Sequence, residues 1–496
     1  MLPPQQRSGS HKREENQNPK SVEQARGKPG PTWILHGSSM REVLYDVKDI
    51  ASRRGGRRAC RLQCISAFHG YTGLVRILLI LATLPGLSAA STDSFAVLPF
   101  TKAAAKHAAS GSSNSTPSNV DWLGLSIAET LRDTLEQRGL VTLGRGDLEE
   151  AYRRLNLSER VALTQASVLK IGEALDAEQV IYGEFEVQRS QPGAPGDSRG
   201  SLKISAHIVD RKHYHVSPEF AESGAIEDLT SIEAHLAWQA LTIAAPKLTP
   251  PESEFKSLRT PVRLDAEENY IRGLMAADPQ QREKFLLQAA RLDARFAHPD
   301  YELGQIYYQR KEYRQAAEWF QKIGSDEIEY HHAAFMLGLA LFQIGDYAGA
   351  QKALQSIVAA VPLSEVYNNL GAAESRRGQP QAADDFRKAL DGDASDPVYH
   401  FNLGYALWKK GDFAGAAERL RAALERDPED AQATTLLGRC LKKQGFRPGD
   451  ASDARLVGLE RIKTTYEERA YRQLKSLLDG RGVDGKAPAE SGATHP

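Results

Sequence analysis

His213 and His215 stand two residues apart, so in an extended segment both project to one side, where two imidazoles could share a metal ion. His207 is the one plausible third ligand nearby, and Asp210 precedes a turn. The group reads more simply as solvated hairpin positions. His331 and His332 are adjacent, about 100° apart on a helix, and do not readily chelate one ion. Gly480-Arg-Gly-Val-Asp-Gly485-Lys486 has the spacing of a loop whose backbone amides cradle phosphate. That chemistry needs a hydroxyl for magnesium at the next position, and Ala487 stands there with no strand ahead of the loop. Gly144-Arg-Gly146 begins like a dinucleotide loop, but Glu149 replaces the third glycine and the stretch reads as a turn after a strand. The sequence has no nucleophile elbow, no His-Glu-x-x-His and no paired-cysteine site. The expectation is a non-enzyme with no metal and no cofactor.

The second half carries a period instead. Leu-Gly pairs fall at Leu303-Gly304, Leu337-Gly338, Leu370-Gly371, Leu403-Gly404 and Leu437-Gly438, with the glycines 34, 33, 33 and 34 residues apart. A unit of this length is a helix–turn–helix that cannot bury its apolar face alone, so stacked copies share one elongated core and present a long concave surface. Within each unit a small residue, a large apolar residue and a further small residue or proline follow at set distances. They are Ala316 and Phe320; Ala350, Leu354 and Pro362; Ala382, Phe386 and Ala389; and Ala416, Leu420, Ala423 and Pro428. The turns inside the pairs read Arg310-Lys-Glu-Tyr313, Gly345-Asp-Tyr347 and Gly411-Asp-Phe413.

This pattern resembles the tetratricopeptide repeat (TPR) family over about residues 265–445. The resemblance implies an all-α superhelical solenoid whose first helices line a concave groove. Numbered from the Leu-Gly pairs, the groove positions are Tyr301, Gln305 and Tyr308; Phe335, Leu339 and Phe342; Asn368, Ala372 and Ser375; Phe401, Tyr405 and Trp408; and Thr435, Arg439 and Lys442. Tyr301, Tyr308, Phe335, Phe342, Asn368, Phe401, Tyr405, Trp408 and Arg439 are the candidate contacts for a protein or peptide partner, because aromatic anchors dominate protein–protein binding energy. Members that clamp a carboxy-terminal carboxylate use Lys and Asn at these positions. Tyr, Phe and Gln argue against that role here. Residues 263–445 are assigned to the array, Ala451–Leu478 (451–479 as a unit) to a polar capping helix with Leu456, Leu459, Ile462, Tyr466, Tyr471 and Leu474 at mixed three- and four-residue spacing, and 480–496 to a disordered tail.

The front of the chain changes regime. Residues 1–72 read as a disordered basic extension, since a segment so poor in apolar groups cannot bury enough surface to fold. No acidic residue occurs from Ala51 to Thr92, while Arg53, Arg54, Arg57, Arg58, Arg61 and Arg76 precede the apolar run Ile77–Leu84 and then Ser88-Ala89-Ala90. Basic flank, short apolar core and small residues read as a signal peptide over 73–90, cleaved after Ala90. Its long leader places the true start downstream of Met1, with Met40 the nearest methionine. The run is short for a membrane span, and a membrane-anchored form follows only if it is retained. Cleavage removes Cys60 and Cys64 and leaves Cys440. Sixty-three basic against 64 acidic residues exclude the basic face that nucleic acid needs.

Residues 94–247 read as a small α/β domain, followed by a linker at 248–262 carrying Pro250, Pro251 and Pro261. Strands are expected at 94–100, 141–143, 179–188 and 202–210, helices at 122–138, 148–155, 167–175 and 229–248, and a hairpin loop at 190–200. Four pieces, in order, resemble the TolB N-terminal-like domain: Phe95–Phe100, Trp122–Leu131, Ile171–Glu184 and Ile204–Asp210. Arg211 stands where that family often has glycine. The resemblance implies a domain that binds proteins or senses a signal, without catalytic residues. The combined expectation is a periplasmic or secreted, non-enzymatic scaffold of the bacterial envelope. The alternative is a cytoplasmic regulatory protein in which both domains form the sensory and interaction part.

Overall fold

The computed structural model describes residues 94–103, 120–157, 163–188, 200–257, 261–447 and 453–467. The signal-peptide segment, Cys60 and Cys64, the 190–199 part of the hairpin loop, and the Gly480–Lys486 loop lie outside the described residues.

The N-terminal part is a seven-stranded mixed sheet. Its strands are β1 (Ser94–Val97), β2 (Thr101–Lys102), β3 (Val141–Thr142), β4 (Gln179–Gln188), β5 (Ser201–Asp210), β6 (His215–Val216) and β7 (Phe220–Ala225). β1 pairs parallel with β3 and β4, and β2 pairs parallel with β4. β5 pairs antiparallel with β4 over ten residues, from Gln179↔Asp210 to Gln188↔Ser201, and with β6 and β7 on its other edge. The expected strands are present, and β2, β6 and β7 are additional.

Strand alternation sorts the apolar residues into two layers. Phe95 and Val97 of β1, with Ile181, Phe185, Leu202, Ile204 and Ala206, face helices α1 (Leu123–Gln137) and α4 (Leu229–Ala244). Ala96, Leu98, Val180 and Val209 face α2 (Arg145–Arg154) and α3 (Gln165–Ala174). α1 forms because Leu123, Ile127, Leu131 and Leu135 recur every fourth residue and are all buried.

The stretch expected as an open linker is packed. Trp238 Nε1 donates to the carbonyl of Pro250 at 3.0 Å, and the short helix α5 (Glu252–Ser257) buries Phe255. Apolar packing then continues from the sheet layer into Ala266, Tyr270, Ile271, Leu274, Leu286 and Leu303, so the expected linker does not divide two separate cores. Buried polar groups cross it too. Ser126 Oγ of α1 donates to Glu267 at 2.7 Å, and Thr130 Oγ1 donates to Glu233 of α4 at 3.0 Å. Burial, then the charge of Glu267, push the Glu233 carboxyl far above its ordinary range. His298 Nε2 lies 2.8 Å from Asp133 and 3.2 Å from Glu329. Burial alone would lower the His298 pKa, but the two carboxylates outweigh it and raise it to about 10.

The array follows as five helix pairs and a single helix: α6 (Leu264–Met275) with α7 (Pro279–Leu292), α8 (Ala297–Gln309) with α9 (Tyr313–Phe320), α10 (Tyr330–Gln343) with α11 (Tyr347–Ile357), α12 (Ser364–Arg376) with α13 (Ala382–Gly392), α14 (Pro397–Lys410) with α15 (Phe413–Arg426), and α16 (Ala431–Leu441). The Leu-Gly period exists because each pair crosses closely at the glycine. A methyl group on Gly304 would lie 2.6 Å from the Phe320 ring, and on Gly338 2.7 Å from Leu354. Gly371 and Gly404 meet Phe386 and Leu420 in the same way. Gly438 has nothing within 4 Å, since no second helix follows α16 among the described residues. The expected capping helix is also corrected: residues 454–456 form one 3-10 turn, and none of residues 457–467 is helical. Among the described residues no helix is long and apolar enough to cross a membrane.

Candidate functional site: the groove lined by the first helices

Residues 453–467 run along the face made by α16, α14, α12 and α10, in the direction opposite to repeat order. Asp453 pairs with Arg439 of α16, and its carboxylate accepts the Arg447 amide at 2.6 Å. Tyr405 of α14 donates its hydroxyl to the carbonyl of Leu456 at 2.7 Å and accepts the amide of Gly458 at 3.2 Å. Burial, then the charge of Glu460, push the Tyr405 phenol up to about 12, so it stays a neutral donor at physiological pH.

Glu460 has a fully buried side chain and is held by three groups. Arg376 Nε lies 2.6 Å away, Ser375 Oγ donates at 2.6 Å, and Lys409 Nζ lies 3.3 Å away. Arg376 also donates to the carbonyl of Gly458. A buried carboxylate is stable only when paired and hydrogen bonded in this way.

The main chain beyond Glu460 is gripped by asparagines. Asn402 Nδ2 donates to the carbonyl of Arg461 at 2.7 Å, and Asn402 Oδ1 accepts the Arg461 amide at 2.9 Å. Asn368 Nδ2 donates to the same carbonyl at 2.9 Å. Asn369 repeats the two-way bond on Lys463, 2.7 Å in each direction. The side chains of Arg461 and Lys463 then reach Asp430 and Asp396, the capping residues of α16 and α14. Burial raises the Asp430 pKa, but the Arg461 guanidinium and the helix amides outweigh it and hold the carboxyl below its usual value. Tyr466 finally packs on His332 and Phe335 of α10, ring centres 5.6 and 4.5 Å apart.

The nine expected contact residues differ in what they touch. Asn368, Tyr405 and Arg439 hydrogen bond or pair with the 453–467 segment. Phe335 lies under Tyr466, and Phe401 lies under the Arg461 guanidinium at 3.5 Å from its ring centre. Phe342 sits one step away, with Arg376 over its ring. Tyr301 is joined to His332, and Tyr308 packs edge-on against Tyr313. Trp408 departs from the expected exposed stripe: it is 1% exposed, and its Nε1 donates to the carbonyl of Gln444 at 2.8 Å. Phe401 and Phe335 are likewise fully buried. The burial is supplied by neighbouring helices and by the chain after α16, which the periodic reading did not place. Of the remaining groove positions, Leu339, Ala372 and Ser375 are buried, Gln305 is half-buried, and Thr435 and Lys442 are exposed.

Asn369, Asn402, Arg376, Lys409, Asp396 and Asp430 are the residues that groove numbering missed. A signal was present: Asn precedes Leu-Gly at 369–371 and again at 402–404, the same position of two successive repeats. The histidines considered for metal binding do not converge. His213 pairs with Asp210 at 2.7 Å, and His207 lies beside Tyr182 on the neighbouring strand. Among the described residues no group of three His, Cys, Asp or Glu side chains is arranged around a metal position. Gly144 caps α2, with its amide 3.1 Å from Asp147.

A family model described as tetratricopeptide repeat matches residues 335–397 and 401–460. Human tetratricopeptide repeat protein 7B is 29% identical over 221 residues, 42% of this chain and 26% of its own length. The chain thus spans about a quarter of that curated relative. Two solved structures are similar to part of this chain. MamA (residues 41 to the end) from Desulfovibrio magneticus RS-1 is 26% identical, over 34% of this chain and 95% of its own, with a TM-score of 0.30. YrrB, described as a TPR protein with an unusual peptide-binding site, is 19% identical over 42% of this chain and 91% of its own, also at 0.30. The repeat period, the helix pairs packed at their glycines and the family match agree that residues 335–460 carry tetratricopeptide repeats.

Proposed function

We propose that this protein is a non-enzymatic scaffold for protein–protein interaction, and that the groove lined by α10, α12, α14 and α16 is its binding surface for an extended peptide. One observation carries the reading. Residues 457–466 already lie there as a non-helical chain whose main chain is gripped by side chains of the array. Main-chain recognition of this kind accepts an extended segment and leaves specificity to a few side-chain pockets. A photo-crosslinking residue at Phe342, on α10 of that face, tests it against one at Glu418 on α15. Adducts with another protein from Phe342 alone support the reading. Adducts from neither position, or from both equally, overturn it.

The sheet domain is read as TolB N-terminal-like, supported by the four sequence pieces and by the strands they form. Export is read from the acid-free basic flank, the Ile77–Leu84 run and Ser88-Ala89-Ala90. The mass of the native N-terminus checks it: Ser91 as first residue supports an envelope or secreted scaffold, and a cytoplasmic chain retaining Ile77–Leu84 supports the regulatory alternative.

A further inference from the structure

We infer that residues 456–466 are a built-in competitor for the groove, and that the partner peptide they stand in for carries a glycine two residues before a buried glutamate and an aliphatic residue two after it. This rests on the groove being the binding surface.

The side of the groove that reads main chain is indifferent to sequence. Asn369, Asn402, Asn368 and Tyr405 touch only amides and carbonyls of residues 456–463. Any extended peptide offers the same groups. Three positions do select. Gly458 has a φ of +72°, and a Cβ there would lie 2.2 Å from Arg376 Nη1. Glycine is the residue that adopts this conformation without strain and lets the guanidinium approach. Glu460 then supplies the carboxylate that Arg376, Lys409 and Ser375 converge on. Two cations facing one buried position commit the occupant to an acidic residue at that point. Ile462, two residues on, is half-buried against the cores of both neighbouring pairs.

The segment is also built to leave. Of its apolar side chains Leu456 alone is fully buried; Leu459, Ile462 and Tyr466 are half-buried, and Val457 is 61% exposed. Phe386 and Leu420 pack on the glycines of their own helix pairs, Gly371 and Gly404. Its hold depends on polar bonds that an incoming backbone can replace one for one, so the covalent attachment provides a high effective concentration against which a partner must compete.

The test uses the full chain and a fluorescein-labelled peptide of residues 454–467. Gly458→Val unseats the tethered segment without changing a residue of the array, and Glu460→Lys does so by charge. Both variants are expected to bind the peptide at least tenfold more tightly than the wild type, at unchanged helical circular dichroism. A peptide carrying Glu460→Ala, or Arg376→Ala in the Gly458→Val chain, is expected to lose that gain. Equal binding by wild type and both variants overturns the competitor while leaving groove recognition standing. No binding by any folded chain overturns both, and the proposed function with them. A wild-type dimer that becomes monomeric on Gly458→Val assigns the segment to a second copy and overturns the intramolecular arrangement.

Discussion

Asn402 holds Arg461 by both main-chain groups, donating to its carbonyl at 2.7 Å and accepting its amide at 2.9 Å, across 59 residues of sequence. The asparagine thus takes the place of a neighbouring strand, and it ties the segment after the array to the centre of the groove.

Asn402→Ala removes both bonds and the one to Asn368 Oδ1 at 2.8 Å. Buried polar groups left without partners cost about 1–3 kcal/mol. The variant is expected to lose that much stability in urea titration and to be cut faster within residues 453–467 by a low concentration of protease. An unchanged cleavage rate would place the segment's anchoring elsewhere.

Trp408→Ala is a packing change. The ring is fully buried between Tyr405 and Phe446, and emptying such a site costs about 3–5 kcal/mol, against about 2–5 kcal/mol for Leu403→Ala. Urea midpoints are expected to rank Trp408→Ala as at least as damaging as Leu403→Ala. A mild Trp408→Ala with a severe Leu403→Ala would return Trp408 to the role of an exposed anchor.

His298 joins the sheet domain to the array through Asp133 and Glu329. Its folded pKa of about 10 lies above the ordinary value, so its contribution is complete below about pH 6.5 and is lost as pH rises towards 10. His298→Gln takes a cation away from Glu329 and from Asp133, which keeps Arg132, and is expected to cost about 3 kcal/mol at pH 6. The gap in melting temperature between wild type and variant should narrow from pH 7 to pH 10. A gap independent of pH would show that His298 is neutral in the fold.

Glu233 behaves in the same sense for a different reason. Its carboxyl faces Glu267, and burial and that charge hold it protonated. A raised carboxyl pKa favours the fold below the unfolded value, near 4.3, and the benefit is lost as pH rises through the folded value. Glu233→Gln is therefore expected to match the wild type near pH 4 and to exceed it in melting temperature at pH 8. A variant less stable at pH 8 would mean that Glu233 is ionised and paired.

The repeats were legible because close helix crossing forces glycine at one position and a large residue about sixteen later, as in Gly304 with Phe320 and Gly404 with Leu420. The strands of the sheet were legible where apolar residues alternate, as in Leu202, Ile204, Ala206 and Ile208. β7 was missed because Phe-Ala-Glu-Ser-Gly-Ala is an edge strand with one fully buried residue. The 453–467 segment was misread because Leu456, Leu459, Ile462 and Tyr466 are spaced like a helix stripe although the chain there makes one 3-10 turn at 454–456 and no helix after it. Gly458, with its positive φ, was the sequence mark against a helix. Groove aromatics were legible by position but not by exposure, since exposure depends on a segment that carries no period.

Amide hydrogen exchange at Arg461 and Lys463 tests the account most directly. Both amides donate to asparagine side chains of the array, at 2.9 and 2.7 Å. The account predicts slow exchange at both in the wild-type chain, and exchange at the rate of a free peptide in an Asn369→Ala, Asn402→Ala double variant whose helical amides remain protected. Free-peptide exchange at Arg461 and Lys463 in the wild type would contradict it.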